Sequence, residues 1–234
     1  RASCTPVTDG KLVYVAVMKV DTKKIPAPNV GAQRLITPGS IEVTAFDLQG
    51  KRKWSSNIGP FISAHGFSSN PVLYRDLVIV NGDHDGDAYI AALDRATGKL
   101  RWKTPRENKT RSYGTPIIRT IDGREQMILC GSKSVASYDP ATGKRHWIID
   151  GPTEQFVASM VYNGQYLFAT GGFPERHILA IRPNGRGNVT ETHIAWRERR
   201  GASYVPSPVV LGDYFLIVSD AGIASCFDAS KGTR

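Results

Sequence analysis

Asp83, Asp85 and Asp87 alternate with His84 and Gly86 in the stretch Asn81-Gly82-Asp83-His84-Asp85-Gly86-Asp87. Three carboxylates so spaced on a glycine-bearing loop can turn toward one hard cation such as Ca2+, which takes oxygen ligands. The stretch departs from the EF-hand pattern, because Ala88 stands where that pattern needs glycine. The plainer reading is a solvated loop that turns the chain. His65, in Ser63-Ala64-His65-Gly66-Phe67, carries an imidazole that titrates near neutrality, so it can act as acid, base or ligand, or satisfy loop backbone groups. His177 and His193 fall in or beside strands and read as packed or exposed. Arg106, Arg111, Arg176, Arg199 and Arg200 also lie in loop-like stretches. Singly they are solvated charge; together they predict a positive face for an acidic protein or glycan. Tyr113 and Tyr204 occupy equivalent places, ahead of Gly114-Thr115-Pro116 and Pro206-Ser207-Pro208. They read as packing residues, or as an aromatic floor for a flat ligand.

Other chemistries lack their residues. The sequence has no G-x-S-x-G nucleophile elbow and no C-x-x-C-H haem attachment. Cys4, Cys130 and Cys226 are an odd count with no C-x-x-C pair, so they read as small buried apolar residues rather than a disulfide framework. Thirty basic against 21 acidic residues give a net charge of +9, which favours polyanions or acidic partners at long range. No basic run is interleaved with aromatics, so nucleic acid is not an expected partner. No run of about 18 apolar residues predicts a membrane span.

The elements that would position these residues come from a repeat. Ala92-Leu93-Asp94-Arg95-Ala96-Thr97-Gly98-Lys99-Leu100-Arg101-Trp102 reads as strand end, tight turn and next strand. Asp94 and Thr97 can bond the turn amides, and Gly98 accepts positive φ. The phrase returns around Asp139, Gly143 and Trp147, and in shortened form from Ala45 to Trp54. A partial copy runs from Cys226 to Gly232. A degenerate one has Arg182 for Asp and a turn lengthened over 184–192 before Trp196. Tryptophans at 54, 102, 147 and 196 are 48, 45 and 49 residues apart. That period, built from short alternating strands, predicts an all-β protein: a β-propeller of four-stranded antiparallel blades, about five in this chain. The repeats run over 1–54, 55–102, 103–147, 148–196 and, incomplete, 197–234, in one domain. Because the chain opens inside a repeat and stops before a fifth Trp, it reads as a piece of something longer. Trp on each fourth strand is expected to wedge between blades.

Antiparallel order sorts the loops. Tight Gly turns gather at one end of the sheets. The longer connections gather at the other, among them the Pro/Lys-rich insertion Lys19–Gly39, residues 81–87 and residues 171–177. Function is expected on that loop end, with His65, His84, Arg106, Arg111, Tyr113, Arg176, Arg199, Arg200 and Tyr204 as its partner-binding residues.

The phrase A-x-D-x-x-T-G-x-x-x-W, with its P-V and V-x-V strands, resembles the repeat of pyrroloquinoline-quinone-like β-propellers. That family includes quinoprotein alcohol dehydrogenases and the BamB-type outer-membrane assembly scaffold. The resemblance implies a ring of seven or eight blades and a periplasmic or secreted protein; a monomer is expected. In the dehydrogenase branch it implies pyrroloquinoline quinone (PQQ) with Ca2+ and an adjacent-cysteine disulfide, which this sequence lacks. The expected function is therefore non-catalytic binding or scaffolding through loops at one end. The alternatives are a PQQ- and Ca-dependent oxidoreductase and a carbohydrate-binding or carbohydrate-degrading propeller.

Overall fold

A computed structural model describes residues 4–28 and 34–234, so Ser3 and the middle of the Lys19–Gly39 insertion lie outside the described residues. The chain forms two compact units, Arg1–Arg111 with Ala141–Gly143, and Ser112–Pro140 with Lys144–Arg234.

The first unit holds two four-stranded antiparallel sheets. One is built from Val7–Thr8, Leu12–Val20, Gly39–Asp47 and Arg52–Phe61, the other from Val72–Tyr74, Leu77–Gly82, Tyr89–Asp94 and Leu100–Pro105. A small hairpin of Ile25–Pro26 and Leu35–Ile36 projects from the first. The second unit holds three sheets. The third sheet comprises Ile117–Ile121, Arg124–Gly131, Ser134–Tyr138 and Arg145–Asp150; the fourth comprises Val161–Tyr162, Leu167–Gly171, His177–Ile181 and Ile194–Glu198. Val209–Leu211, Tyr214–Val218 and Ala224–Asp228 make a three-stranded fifth. These are the blades of a β-propeller fold.

Turn chemistry sets each hairpin. Asp94 Oδ1 accepts from the N–H of Ala96 (3.1 Å) and Thr97 (2.9 Å) and from the Thr97 hydroxyl (2.8 Å). Gly98 sits at φ 72°, where a Cβ would be strained. Asp228, Ser230 and Gly232 repeat that arrangement. In the first four sheets a register shift falls just ahead of the tryptophan. The indoles consequently stand opposite small residues: Trp54 against Ala45, Trp102 against Ala92, Trp147 against Ser137, Trp196 against Ala180. A bulge of this kind re-aims the side chains that follow it.

The indoles then reach the turn of a later repeat. A Cβ on Gly98 would lie 2.5 Å from Trp54 Cε3, and one on Gly232 would lie 2.6 Å from Trp196 Cδ2. In the first unit, Gly143 meets Trp102 in the same way. Trp54 Nε1 donates to Arg95 O (3.1 Å), Trp196 Nε1 to Ala229 O (2.9 Å) and Trp147 Nε1 to Pro183 O (3.2 Å). The wedge expected from the sequence is a keyed contact. At Gly98, Gly143 and Gly232 only glycine lets the ring lie flat on the turn. For Trp54, Trp147 and Trp196 a carbonyl of the later repeat satisfies an N–H that burial would otherwise orphan, whereas the buried Trp102 Nε1 has no hydrogen-bond partner.

Strands run past the tryptophans, to Phe61 in the first sheet and Asp150 in the third, because Ile58, Phe61, Ile148 and Ile149 carry the buried pattern onward. One expectation needs correction. Of the cysteines, Cys130 is buried and Cys4 half-buried, but Cys226 is exposed. It lies on the face of the fifth sheet that also exposes Leu216 and Val218, so alternation along the strand places it outward.

Trp147 is fully buried, and its N–H also reaches Gln126 Oε1 at 2.8 Å. Trp147→Ala is expected to cost about 3–5 kcal/mol, read as a fall in the urea midpoint. Trp147→Phe should recover only part, since Gln126 and the Pro183 carbonyl lose their shared donor.

Candidate functional site

The 83–87 loop joins Leu77–Gly82 to Tyr89–Asp94, and the chain that follows the second sheet folds back over it. Ala88 O accepts from Arg106 N (2.8 Å), and Ile62 O accepts from Asp85 N (2.8 Å). These backbone ties decide where the carboxylates go. Asp83 Oδ1 takes Arg106 Nε at 2.9 Å. Both oxygens of Asp85 take Arg111 Nη1 at 3.0 Å, and Asp85 Oδ1 also accepts the Arg111 backbone N–H. Both pairs are buried, with neither guanidinium more than 4% exposed. Asp87 alone points to solvent, 2.7 Å from Lys109 Nζ.

The three carboxylates therefore do not converge. Each has its own cation, and among the described residues no group of three acidic, histidine or cysteine side chains is set to hold a metal. One oxygen, Asp83 Oδ2, is buried without a hydrogen-bond partner. A lone oxygen beside a guanidinium does not meet the six to eight oxygens that Ca2+ takes. The donor set does not fit a Ca2+–PQQ centre at this loop. Burial pushes the Asp83 carboxyl up, and the Arg106 guanidinium pulls it down.

His84, expected at the partner-binding rim, is instead buried and staples the loop. Its Nδ1 accepts from the backbone N–H of Gly86 (3.0 Å) and Ile62 (3.2 Å), and its Nε2 meets Asp87 O at 3.1 Å. Two donors at Nδ1 and a carbonyl at Nε2 define the neutral Nε2–H tautomer. Burial depresses its pKa. His65 is exposed on the neighbouring link, with its pKa lowered by burial of part of the ring and then by the Arg111 and Arg34 charges.

The loop end of the second unit is built differently. Glu175 Oε2 lies 3.1 Å from Arg199 and 3.3 Å from His177 Nε2. Arg176 pairs with Asp220 at 3.4 Å, and Asp220 also accepts the N–H of Tyr204 (2.8 Å) and Val205 (3.1 Å). Glu198 Oε1 accepts the N–H of Arg199 and Arg200 and lies 3.8 Å from the Arg200 side chain. Phe173 O takes Thr153 Oγ1 (2.7 Å), Glu154 N (3.0 Å) and Gln155 N (3.1 Å). Tyr204 packs so near Gly172 that a Cβ there would lie 3.0 Å from its ring, and its hydroxyl reaches Gln155 Oε1. Tyr113 is half-buried with its N–H on Phe156 O (2.9 Å). Held up by this frame are two exposed apolar side chains, Phe173 and Val205, each just over half accessible.

The positive face expected from the five arginines is thus corrected. Arg106 and Arg111 are buried, and Arg176, Arg199 and Arg200 each have an acid beside them. Those acids sit in the same loops and could have been counted; that Phe173 and Val205 stay exposed had no sequence signal.

Breaking a buried pair leaves an uncompensated charge, so Asp85→Ala is expected to cost about 3–5 kcal/mol by chemical denaturation, with or without Ca2+. A Ca2+-dependent rise in wild-type melting temperature that Asp85→Asn abolishes would restore the metal reading. His84 generates a second expectation. Its folded pKa lies below the unfolded value of 6.5, so the unfolded chain binds more protons as pH falls. The stability it confers is present above about pH 6.5 and is lost below it. His84→Asn, whose side-chain oxygen can still accept the two N–H groups, should flatten the fall in unfolding free energy between about pH 7 and 5.

The model of the family described as outer membrane protein assembly factor BamB matches residues 6–234. Among solved structures, the chain is similar to BamB from Moraxella catarrhalis, with 14% identity and a TM-score of 0.63, covering 99% of this chain and 73% of that one. It is also similar to quinohemoprotein alcohol dehydrogenase ADHIIG from Pseudomonas putida HK5 (14% identity, TM-score 0.60, 99% of this chain and 41% of that one). A europium-containing methanol dehydrogenase aligns at 15% identity and a TM-score of 0.62 over 100% of this chain and 50% of that one. The chain thus spans half or less of these dehydrogenases. No curated protein sequence matches it. Likeness at such identities shows the fold alone.

Proposed function

The chain belongs to the family described as outer membrane protein assembly factor BamB, and from that premise we propose that it is a non-catalytic scaffold that grips a protein partner through the loop end of its second unit. The observation that carries this reading is the pair Phe173 and Val205, exposed on loops that backbone hydrogen bonds and the Asp220 and Glu175 ion pairs hold in place. Apolar anchors ringed by charged groups are the composition of a protein interface, and a pre-ordered loop loses little entropy on binding.

Charge supports a protein over a free polyanion. The loop arginines are already matched by acids, so they orient a partner and exclude wrong ones more than they attract bulk negative charge. The family description points to a component of the outer-membrane assembly machinery as that partner, and to an extracytoplasmic location. Among the described residues no helix is long and apolar enough to cross a membrane.

The test is calorimetry of the full chain against the periplasmic part of the assembly machinery from the same organism. Saturable binding is expected, weakened about tenfold or more by Phe173→Asp and unaffected by Lys51→Glu at the tight-turn end. If both variants bind like wild type, the loop end is not the interface. Saturable one-to-one binding of PQQ with Ca2+ instead would move the protein to the dehydrogenase branch.

A further inference from the structure

The lengthened turn of the fourth repeat does not stay with its own sheet. Gly187–Asn188 pairs in parallel with Arg145–Asp150 of the third sheet, Gly187 opposite Trp147 and Asn188 opposite Ile148. That register sets Arg186 beside His146. Arg124, on the second strand of the third sheet, donates from Nη2 to Gly185 O at 3.0 Å, and Gln126 Nε2 donates to Pro183 O at 2.9 Å. His146 is the extra residue at the bulge ahead of Trp147. Its Nε2–H donates to Glu125 O at 3.3 Å, which leaves Nδ1 as the nitrogen that titrates. Arg124 from the second strand, His146 from the fourth and Arg186 just ahead of Gly187–Asn188 are thereby gathered at the tight-turn end of the second unit.

Among the described residues, neither Arg124 nor Arg186 forms an ion pair, in contrast to the arginines of the loop end. Burial lowers the Arg124 pKa and the Arg186 charge adds to it, while the Asp122 charge opposes both. Burial lowers His146, with Arg124 and Arg186 adding to the effect and Asp139 and the Glu125 carbonyl opposing it. Next to the cluster is a cavity of about 290 Å3 lined by Asp122, Tyr162, Tyr166, Arg182 and Asn184. Asp122, in the turn between Ile117–Ile121 and Arg124–Gly131, lines this cavity and leads directly into the strand that carries Arg124.

We propose that Arg124, His146 and Arg186 bind a phosphate monoester, and that the adjoining cavity takes the group the phosphate is attached to. A guanidinium offers paired N–H groups in a planar fork that matches two phosphate oxygens, and a dianion relieves repulsion between two such forks. The third oxygen is left for a protonated His146. The polar cavity with its two tyrosines suits a small hydroxylated group.

The test is titration of the full chain with inorganic phosphate at constant ionic strength, followed by the NMR signal of the His146 ring. Expected is a saturable shift with the His146 pKa moving up on binding, and binding about tenfold or more weaker in Arg186→Gln. Arg186 is exposed and Arg186→Gln should leave the urea midpoint unchanged, so lost binding is not lost folding. Glucose 1-phosphate and vesicles containing phosphatidic acid separate the sources: tighter binding of the first assigns a soluble ester, and of the second a lipid headgroup. A linear response in which His146 moves no more than His65, or an Arg186→Gln titration identical to wild type, overturns the proposal.

Discussion

The structure depends on an indole seated on a glycine turn. Trp54 on the turn at Gly98 and Trp196 on the turn at Gly232 each bury a large apolar face and donate their N–H to a carbonyl of that turn. Several requirements meet there. The strand must bulge so that the ring faces a small residue. The turn must carry glycine both for its positive φ and for the space above it. Asp must hold the turn shape from below. An alanine at the glycine would violate two of these at once, which explains why Asp, Gly and Trp recur together while the residues between them vary.

With the sheets joined at that end, the opposite end is free to differ between units. In the first unit the 83–87 loop is closed by Asp83–Arg106 and Asp85–Arg111, charges withdrawn from solvent. In the second unit the comparable charges stay accessible and surround Phe173 and Val205. Buried pairs of this kind specify one loop conformation more than they add stability. The 83–87 loop of the first unit is therefore internal framework, while the loops of the second unit leave Phe173 and Val205 exposed among their charges.

The fold was legible in the sequence because its punctuation is stereochemical. Asp94, Gly98 and Trp102 each do something few other residues can, so their spacing carried the blade plan. The site was less legible because ion pairing joins residues far apart in sequence. Asp83, Asp85 and Asp87 look like one ligand set along the chain, yet arginines 23 and 26 residues later take the first two separately. Nor does composition show that the lengthened turn of the fourth repeat adds a strand to the third sheet, since Gly187–Asn188 has no strand-like pattern of its own.

The direction of the tryptophan contact also orders events in time. The carbonyl that receives Trp54 lies 41 residues further along the chain, that for Trp147 lies 36 further and that for Trp196 lies 33 further. A ribosome releases the ring well before its seat. Each of these sheets therefore leaves an indole face wet until the next repeat has been synthesised and can cover it.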